Sequence, residues 1–410
     1  YIDKIFQSTT PNGYKLVKVV IRKIRIPEIG DKFACYHPDT EILTDGGWKN
    51  ITKLTKNDTV ATLVKDNTLT YIHPTEIQEY DYEGYMYEVM NNHINLCVTP
   101  NHRMYVSNEN AKTFIIPQAR DIYNKVSTYK KGCTAYEGYM YGNDFAAAPM
   151  SQHSVSSPIA IPYNRKNKLE PIQENEDLNF YFVVPGVGEM RDKLIDLEDW
   201  CVFFGLWISH GNCSHSKSPG GRVNNSVVTI HIINNDMKSE LERICIDNYI
   251  RFIINKDGGD RLLWQSGDSR LVKYFLPLSL GSTGKYLPKW CFDLTIHYVR
   301  ILIVNILFVE INGLYTNYSP KLLDGIQILC LHACWTGIFK NKHTIYVSKK
   351  SNMHALVNKK TIQDKWVQYK GKVYCCTVPT KNGLVYVRRN GKAVWCGNSR
   401  EAQKGTVGAV

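Results

Sequence analysis

Residues 35–63, CYHPDTEILTDGGWKNITKLTKNDTVATL, set the architecture. Within them TEILT and DTVATL are short β-branched runs, and DGG and KND are turn formers. Further along, YEGYMYEVM (82–90) and INLCVTP (94–100) continue the pattern, parted by NNH. Many short strands without a strong helical period predict an all-β module. Beyond it, 112–176 loosens, and SQHSVSSP and PYNRKNKLEPIQENED read as linkers or inserted loops. From Leu197 to about Asn341 helical periods take over in LEDWCVFFGLWI, DMKSELERICIDNY and PKLLDGIQILCLHA. Each is followed by a polar or β-rich stretch, so this block predicts mixed α and β. Strand character returns in TIYVS, KVYCCTVPT and LVYVRRNGKAVW. The simplest order is one all-β domain interrupted by an α/β domain. Before Cys35, YKLVKVVIRKIRI (14–26) alternates apolar and basic positions, as a strand with one exposed face does.

The 410 residues favour two or three domains, and 43% apolar residues with 28 Gly suffice for ordinary cores. An excess of 50 Lys+Arg over 38 Asp+Glu is compatible with a polyanionic partner, nucleic acid first, but equally with a plain basic surface. The 12 Cys show no CxxC pairs in metal-ligand spacing, which argues against a zinc site and a secreted disulfide framework and for a reducing, intracellular setting. The longest apolar run, Ile301 to Val309, is interrupted by Asn305 and is too short to cross a bilayer. No signal-peptide pattern opens the chain, and a first residue of Tyr rather than Met fits an excised fragment.

The borders of the interior carry the sharpest signal. IPEIGDKFA (26–34) stops before Cys35, and SREAQKGTVG (399–408) starts after Asn398. Rejoined, they resemble a catalytic segment of the second-largest subunit of multisubunit RNA polymerases. An interior that opens with Cys and closes with Asn before Ser resembles an intein. The resemblance implies an all-β Hedgehog/intein (HINT) splicing domain interrupted by an α/β LAGLIDADG-type endonuclease domain, with short host flanks. The implied division is host 1–34, first part of the splicing domain 35–150, linker 151–176, endonuclease-like domain 177–342, remainder of the splicing domain 343–398 and host 399–410.

In that family the first Cys attacks the preceding carbonyl, a role that falls here to Cys35 acting on Ala34. A thiol suits it as a strong nucleophile that forms a good acyl donor. CVTPNHRMYV matches the Thr-x-x-His element, which gives Thr99 the task of orienting the scissile bond and His102 that of protonating its nitrogen. TPNH alone would equally be a turn. VYCCTVP resembles a strand with Asp where Cys375 stands; Cys375 is expected to assist and Cys376 to be core. Ser399 is expected to take the acyl group, after which Asn398 cyclises. Most members carry His before the final Asn, and this chain has Gly397, so slower or differently assisted cyclisation is expected rather than inactivity, with Trp395 or Cys396 near enough to contribute.

CVFFGLWISHGNC (201–213) and ILIVNILFVEINGLYTN (301–317) resemble the two LAGLIDADG helices, with KYLPKW between them resembling a Lys-x-x-Pro block. The positions that hold metal-binding acids in the family are His210 and Asn312 here, which predicts a fold with poor or no cutting; Glu310 would compensate only if the helix end shifted. Splicing needs no cofactor, and Mg²⁺ enters only if the endonuclease is active. An active site-specific DNA endonuclease is the alternative of another class, and an insert that no longer splices is a third. Expected partners are double-stranded DNA for the central domain and other polymerase subunits for the host, with no membrane. The expected location is with the transcription machinery, in a nucleus or a viral factory in the cytoplasm. Lys32 and Lys404 match lysines near nucleotide phosphates in the resembling segment, while Glu401 and Ala402 depart from its His and Gly.

Overall fold

A computed structural model describes residues 2–9, 15–21, 34–107, 113–138, 158–160, 180–217, 223–257, 260–279, 281, 283–308, 312–349, 355–357 and 363–397. Lys32, Glu310, Asn398, Ser399, Glu401, Ala402 and Lys404 lie outside the described residues. The chain falls into two compact units, Tyr1–Phe33 and Ala34–Val410. In the first, Ile2–Thr9 pairs antiparallel with Lys15–Ile21.

The second unit opens with the β module. One sheet runs Ala135–Tyr136, Thr68–Ile72, Val60–Leu63, Leu384–Arg389, Glu41–Thr44, Gly47–Asn50, and Lys392–Gly397 pairs with Leu384–Arg389. That last hairpin turns at Asn390 and Gly391, both with positive φ (50° and 74°), the two-residue turn that Asn-Gly favours. The second feature is longer than the sequence predicts. Glu76–Met90 pairs with Asp364–Thr377 along its length, from Glu76↔Thr377 to Val89↔Asp364. Cross-strand charges support it, with Lys370 directly opposite Glu83 and Lys372 reaching diagonally to Glu79. The ribbon thus ties together two segments that flank the whole central block.

The central block is built on helix Leu197–His210, capped by Asp196 accepting from the Glu198 and Asp199 amides. It packs against helix Ile296–Ile306 so closely that a Cβ at Gly205 would lie 2.8 Å from the Cβ of Asn305. Trp200, Phe203, Phe204 and Trp207 fill the core beneath it. A four-stranded sheet, ordered Gly211–Lys217, Val223–Ile232, Leu262–Ser266, Ile253–Lys256, completes this block.

Three expectations differ from the structure. Pro158–Ala160, read as linker, pairs with Phe180–Val184. Thr344–Ser348, read as returning to the splicing domain, pairs with Leu314–Thr316 and Thr336–Asn341 beside helix Pro320–His332. The apolar run 301–309 stays helical only to Ile306, where the Leu307 amide closes on the Ile303 carbonyl, so Asn312 stands six residues beyond the helix. Period-two alternation does not tell which sheet a strand joins, and apolarity does not mark a helix end.

The block and the module share a core of Leu331, Ile328 and Cys334 with Tyr386 and Trp395. Arg388 joins them electrically. It makes two hydrogen bonds to Glu41, at 2.7 and 3.2 Å, reaches Asp324 and Gln327 on helix Pro320–His332, and lies 4.4 Å from the Trp48 ring centroid. Among the described residues no helix is long and apolar enough to cross a membrane.

Candidate active site

Four chain segments meet at one buried point of the β module. Tyr36 bridges both Val98 and Tyr374, with Tyr36 N donating to the Tyr374 carbonyl at 2.7 Å. Met104 bridges Cys396, and the Gly397 amide donates to the Arg103 carbonyl at 2.7 Å. Residues 34–36, 98–104, 374–376 and 395–397 therefore converge, although the sequence separates the first from the last by almost the whole second unit.

Thr99 holds Cys35 through both of its flanking peptides, the scissile Ala34-Cys35 one by its nitrogen and the Cys35-Tyr36 one by its carbonyl. The Cys35 amide donates to Thr99 Oγ1 at 2.9 Å, and the Thr99 amide donates to the Cys35 carbonyl at 3.0 Å. The turn Thr99–His102 closes through the His102 amide on the Thr99 carbonyl at 3.0 Å, so TPNH is a turn and also a clamp. Cys35 is fully buried, and its thiol is held well above the ordinary range, first by hydrogen bonding to Cys375 and then by burial. Cys375 Sγ in turn hydrogen-bonds Gln78 Oε1 across the ribbon at 3.3 Å. Cys376 points into the apolar core.

His102 is fully buried, and burial pushes its pKa down to about 3, against hydrogen bonding to the backbone of Ala34 and of Gly397. Its ring stands edge-on to Tyr36 at 4.2 Å, and Nε2 lies 3.2 Å from Cys396 Sγ. One neutral imidazole thus sits between Tyr36, the residue after Cys35, and Cys396, two residues before Asn398. Gly397 needs no positive φ; it needs space, because a Cβ there would lie 2.6 Å from the Arg103 carbonyl oxygen. A His at this position would collide with that backbone. Sequence reading missed Tyr36, Gln78 and the Arg103 contact; adjacency to Cys35 was the only signal for Tyr36.

The second predicted site is a different kind of place. His210 ends helix Leu197–His210, with its pKa lowered by burial first and by the Lys285 charge next. Lys285, from KYLPKW, caps that helix: its ammonium donates to the Ile208 carbonyl at 2.9 Å and the Gly211 carbonyl at 2.6 Å, and burial lowers its pKa to about 8. Asn312 is exposed. These residues do not fit Mg²⁺, which takes hard oxygen ligands and gains from carboxylate charge. Among the described residues no group of three or more His, Cys, Asp or Glu is arranged to hold a metal.

No family model matches the chain. It is 26% identical over 450 aligned positions to the DNA-directed RNA polymerase subunit beta C-terminal section of Stigeoclonium helveticum, covering 91% of this chain and 37% of that one. It is 24% identical over 493 positions to the ATP-dependent Clp protease proteolytic subunit of Chlamydomonas moewusii, covering 89% of this chain and 45% of that one. The chain spans less than half the length of these curated relatives. Among solved structures, I-DmoI in complex with DNA and Mn matches 37% of this chain and 90% of its own at 14% identity and a TM-score of 0.30. The AceL NrdHF class 3 split intein, a splice-inactive variant, matches 57% of this chain and 99% of its own at 12% identity and a TM-score of 0.20. The chain is thus similar over about nine-tenths of its length to a section of an RNA polymerase beta subunit and to a Clp protease subunit.

Proposed function

We propose that residues 35–398 are a self-splicing insert that joins the segment before Cys35 to the segment after Asn398. The convergence of 34–36 with 395–397 around His102 carries this reading, because splicing requires both borders at one place. The Cys35 thiol adds to the Ala34 carbonyl and the Ala34-Cys35 bond breaks, leaving a thioester and a free Cys35 amine. The proton lost by sulfur equals the proton gained by nitrogen. His102, neutral at rest, fits the role of moving that proton rather than supplying one of its own, and Thr99 fixes the nitrogen. Cys375 hydrogen-bonds the thiol before the step. The Ser399 hydroxyl then takes the acyl group, its proton returning to the Cys35 sulfur; Asn398 cyclises and frees the Ser399 amine, and the acyl group moves from the Ser399 oxygen to that amine, which gives its proton to the oxygen.

Two relatives with unrelated named activities, a polymerase section and a protease subunit, each match about nine-tenths of this chain. A segment common to unrelated hosts fits a transferable insert better than it fits either host activity. The host read from the flanks is an RNA polymerase catalytic subunit, with Lys32 and Lys404 in phosphate contact once joined. The central block fits a DNA-binding domain that has lost metal-dependent cutting, since a helix end that holds an ammonium and an imidazole is a poor place for a divalent cation.

Cys35→Ala is expected to stop thioester formation, and Asn398→Ala to leave a precursor that thiols still cleave before Cys35. Full ligation from the Asn398→Ala protein would overturn the mechanism.

A further inference from the structure

We propose that Tyr36 is the positioning residue for the C-terminal border, taking through its hydroxyl the place that side-chain volume denies to residue 397. This deepens the splicing reading and rests on it. The Tyr36 hydroxyl donates to the Gly397 carbonyl at 3.0 Å across a buried interior. That carbonyl carbon is bonded to the Asn398 nitrogen, so the hydrogen bond fixes the peptide plane from which Asn398 departs. The hold matters at a glycine, the residue with the most backbone freedom to lose. Arg103 grips the same glycine from the other side, its carbonyl accepting the Gly397 amide at 2.7 Å.

The surroundings are arranged for this one contact. The Tyr36 ring is itself fixed by backbone pairing to Val98 and Tyr374 and stands against His102. Burial first, and the neighbouring Cys396 next, hold the phenol well above its ordinary range, so the hydroxyl stays protonated and remains a donor throughout the neutral range. In the cyclisation a bond forms between Asn398 Nδ2 and the Asn398 carbonyl carbon, and the bond to the Ser399 nitrogen breaks. The proton leaving Nδ2 is balanced by the one that completes the Ser399 amine. In this reading Tyr36 acts by holding the residue before these atoms rather than by carrying their protons.

The test is made in the full chain with two readouts by intact mass spectrometry. In a Cys35→Ala background, cleavage between Asn398 and Ser399 reports the C-terminal step alone. In an Asn398→Ala background, dithiothreitol cleavage before Cys35 reports the N-terminal step alone. Tyr36→Phe keeps the ring and deletes the hydroxyl. It is expected to slow the first by about tenfold, the loss of one buried hydrogen bond, and the second by less than about twofold. Equal slowing of both would make Tyr36 a general structural residue, and an unchanged C-terminal rate would remove it from that border; either result overturns the proposal. If the parent Cys35→Ala chain does not cleave after Asn398 at all, the splicing reading fails with it, whereas cleavage by the parent that is indifferent to Tyr36→Phe sinks the positioning role alone.

Discussion

The point where 34–36 meets 395–397 and the end of helix Leu197–His210 are both predicted sites, and they differ in what the fold has kept. At the first, Cys35, Thr99 and His102 are buried and mutually bonded, and the position unlike most of the family, Gly397, is accounted for by a backbone that leaves no room for a side chain. At the second, the helix packing survives at Gly205, while the residues at its tip are an imidazole and an ammonium. On the proposed reading, a fold outlasts its chemistry where packing alone maintains it, and chemistry and fold are kept together where reacting groups also make the core contacts.

The strongest way to break that contrast is at His102. His102→Ala is expected to slow thiol-induced cleavage before Cys35 by about 10²- to 10⁴-fold, the usual range for a positioned proton carrier. A loss below tenfold would leave the convergence as packing.

Acid should act on the same imidazole through stability. Burial lowers His102 to about 3, and His332 likewise to about 3. Between those values and about 6.5 the unfolded chain binds protons that the folded chain refuses, so stability rises with pH across that window and falls on acidification. From neutrality to about pH 4.5 the two together cost on the order of 5 kcal/mol, measurable by urea unfolding at each pH. A flat profile between pH 4.5 and 6.5 would contradict the neutral, buried assignment.

A smaller effect tests whether block and module are one structure. Arg388 is buried while Glu41 and Asp324 are partly exposed, so solvent screens part of the network. Arg388→Ala should cost about 2 kcal/mol and lower the melting of both parts together. Separate melting transitions would show that the shared core is not cooperative. The smallest expected effect sharpens the other side of the comparison: Mg²⁺ at millimolar levels should leave the melting temperature unchanged. A saturable rise would mean that a cation site persists near His210 or Asn312.

Much of this was legible in the sequence because its signals are local. Cys35 and the Thr-x-x-His turn stand out only with the family resemblance, but helices Leu197–His210, Asn235–Asp247 and Pro320–His332 declare themselves through their own periods. The ribbon did not, since Glu76–Met90 finds its partner beyond the central block and neither strand alone states its length. Thr344–Ser348 reads the same in either sheet, and apolar residues continue past the helix end at Ile306 to Val309, so apolarity does not mark it. Tyr36 reads as an ordinary core aromatic until the far end of the chain is brought to its hydroxyl. The closed space at Gly397 likewise depends on Arg103, distant in sequence.

The central claim is that the two borders react with each other, and intact mass spectrometry of the freshly purified chain, with and without dithiothreitol, tests it most directly. The account predicts a free species comprising residues 35–398 together with residues 1–34 joined to 399–410. A chain that keeps its full mass under every condition would contradict it.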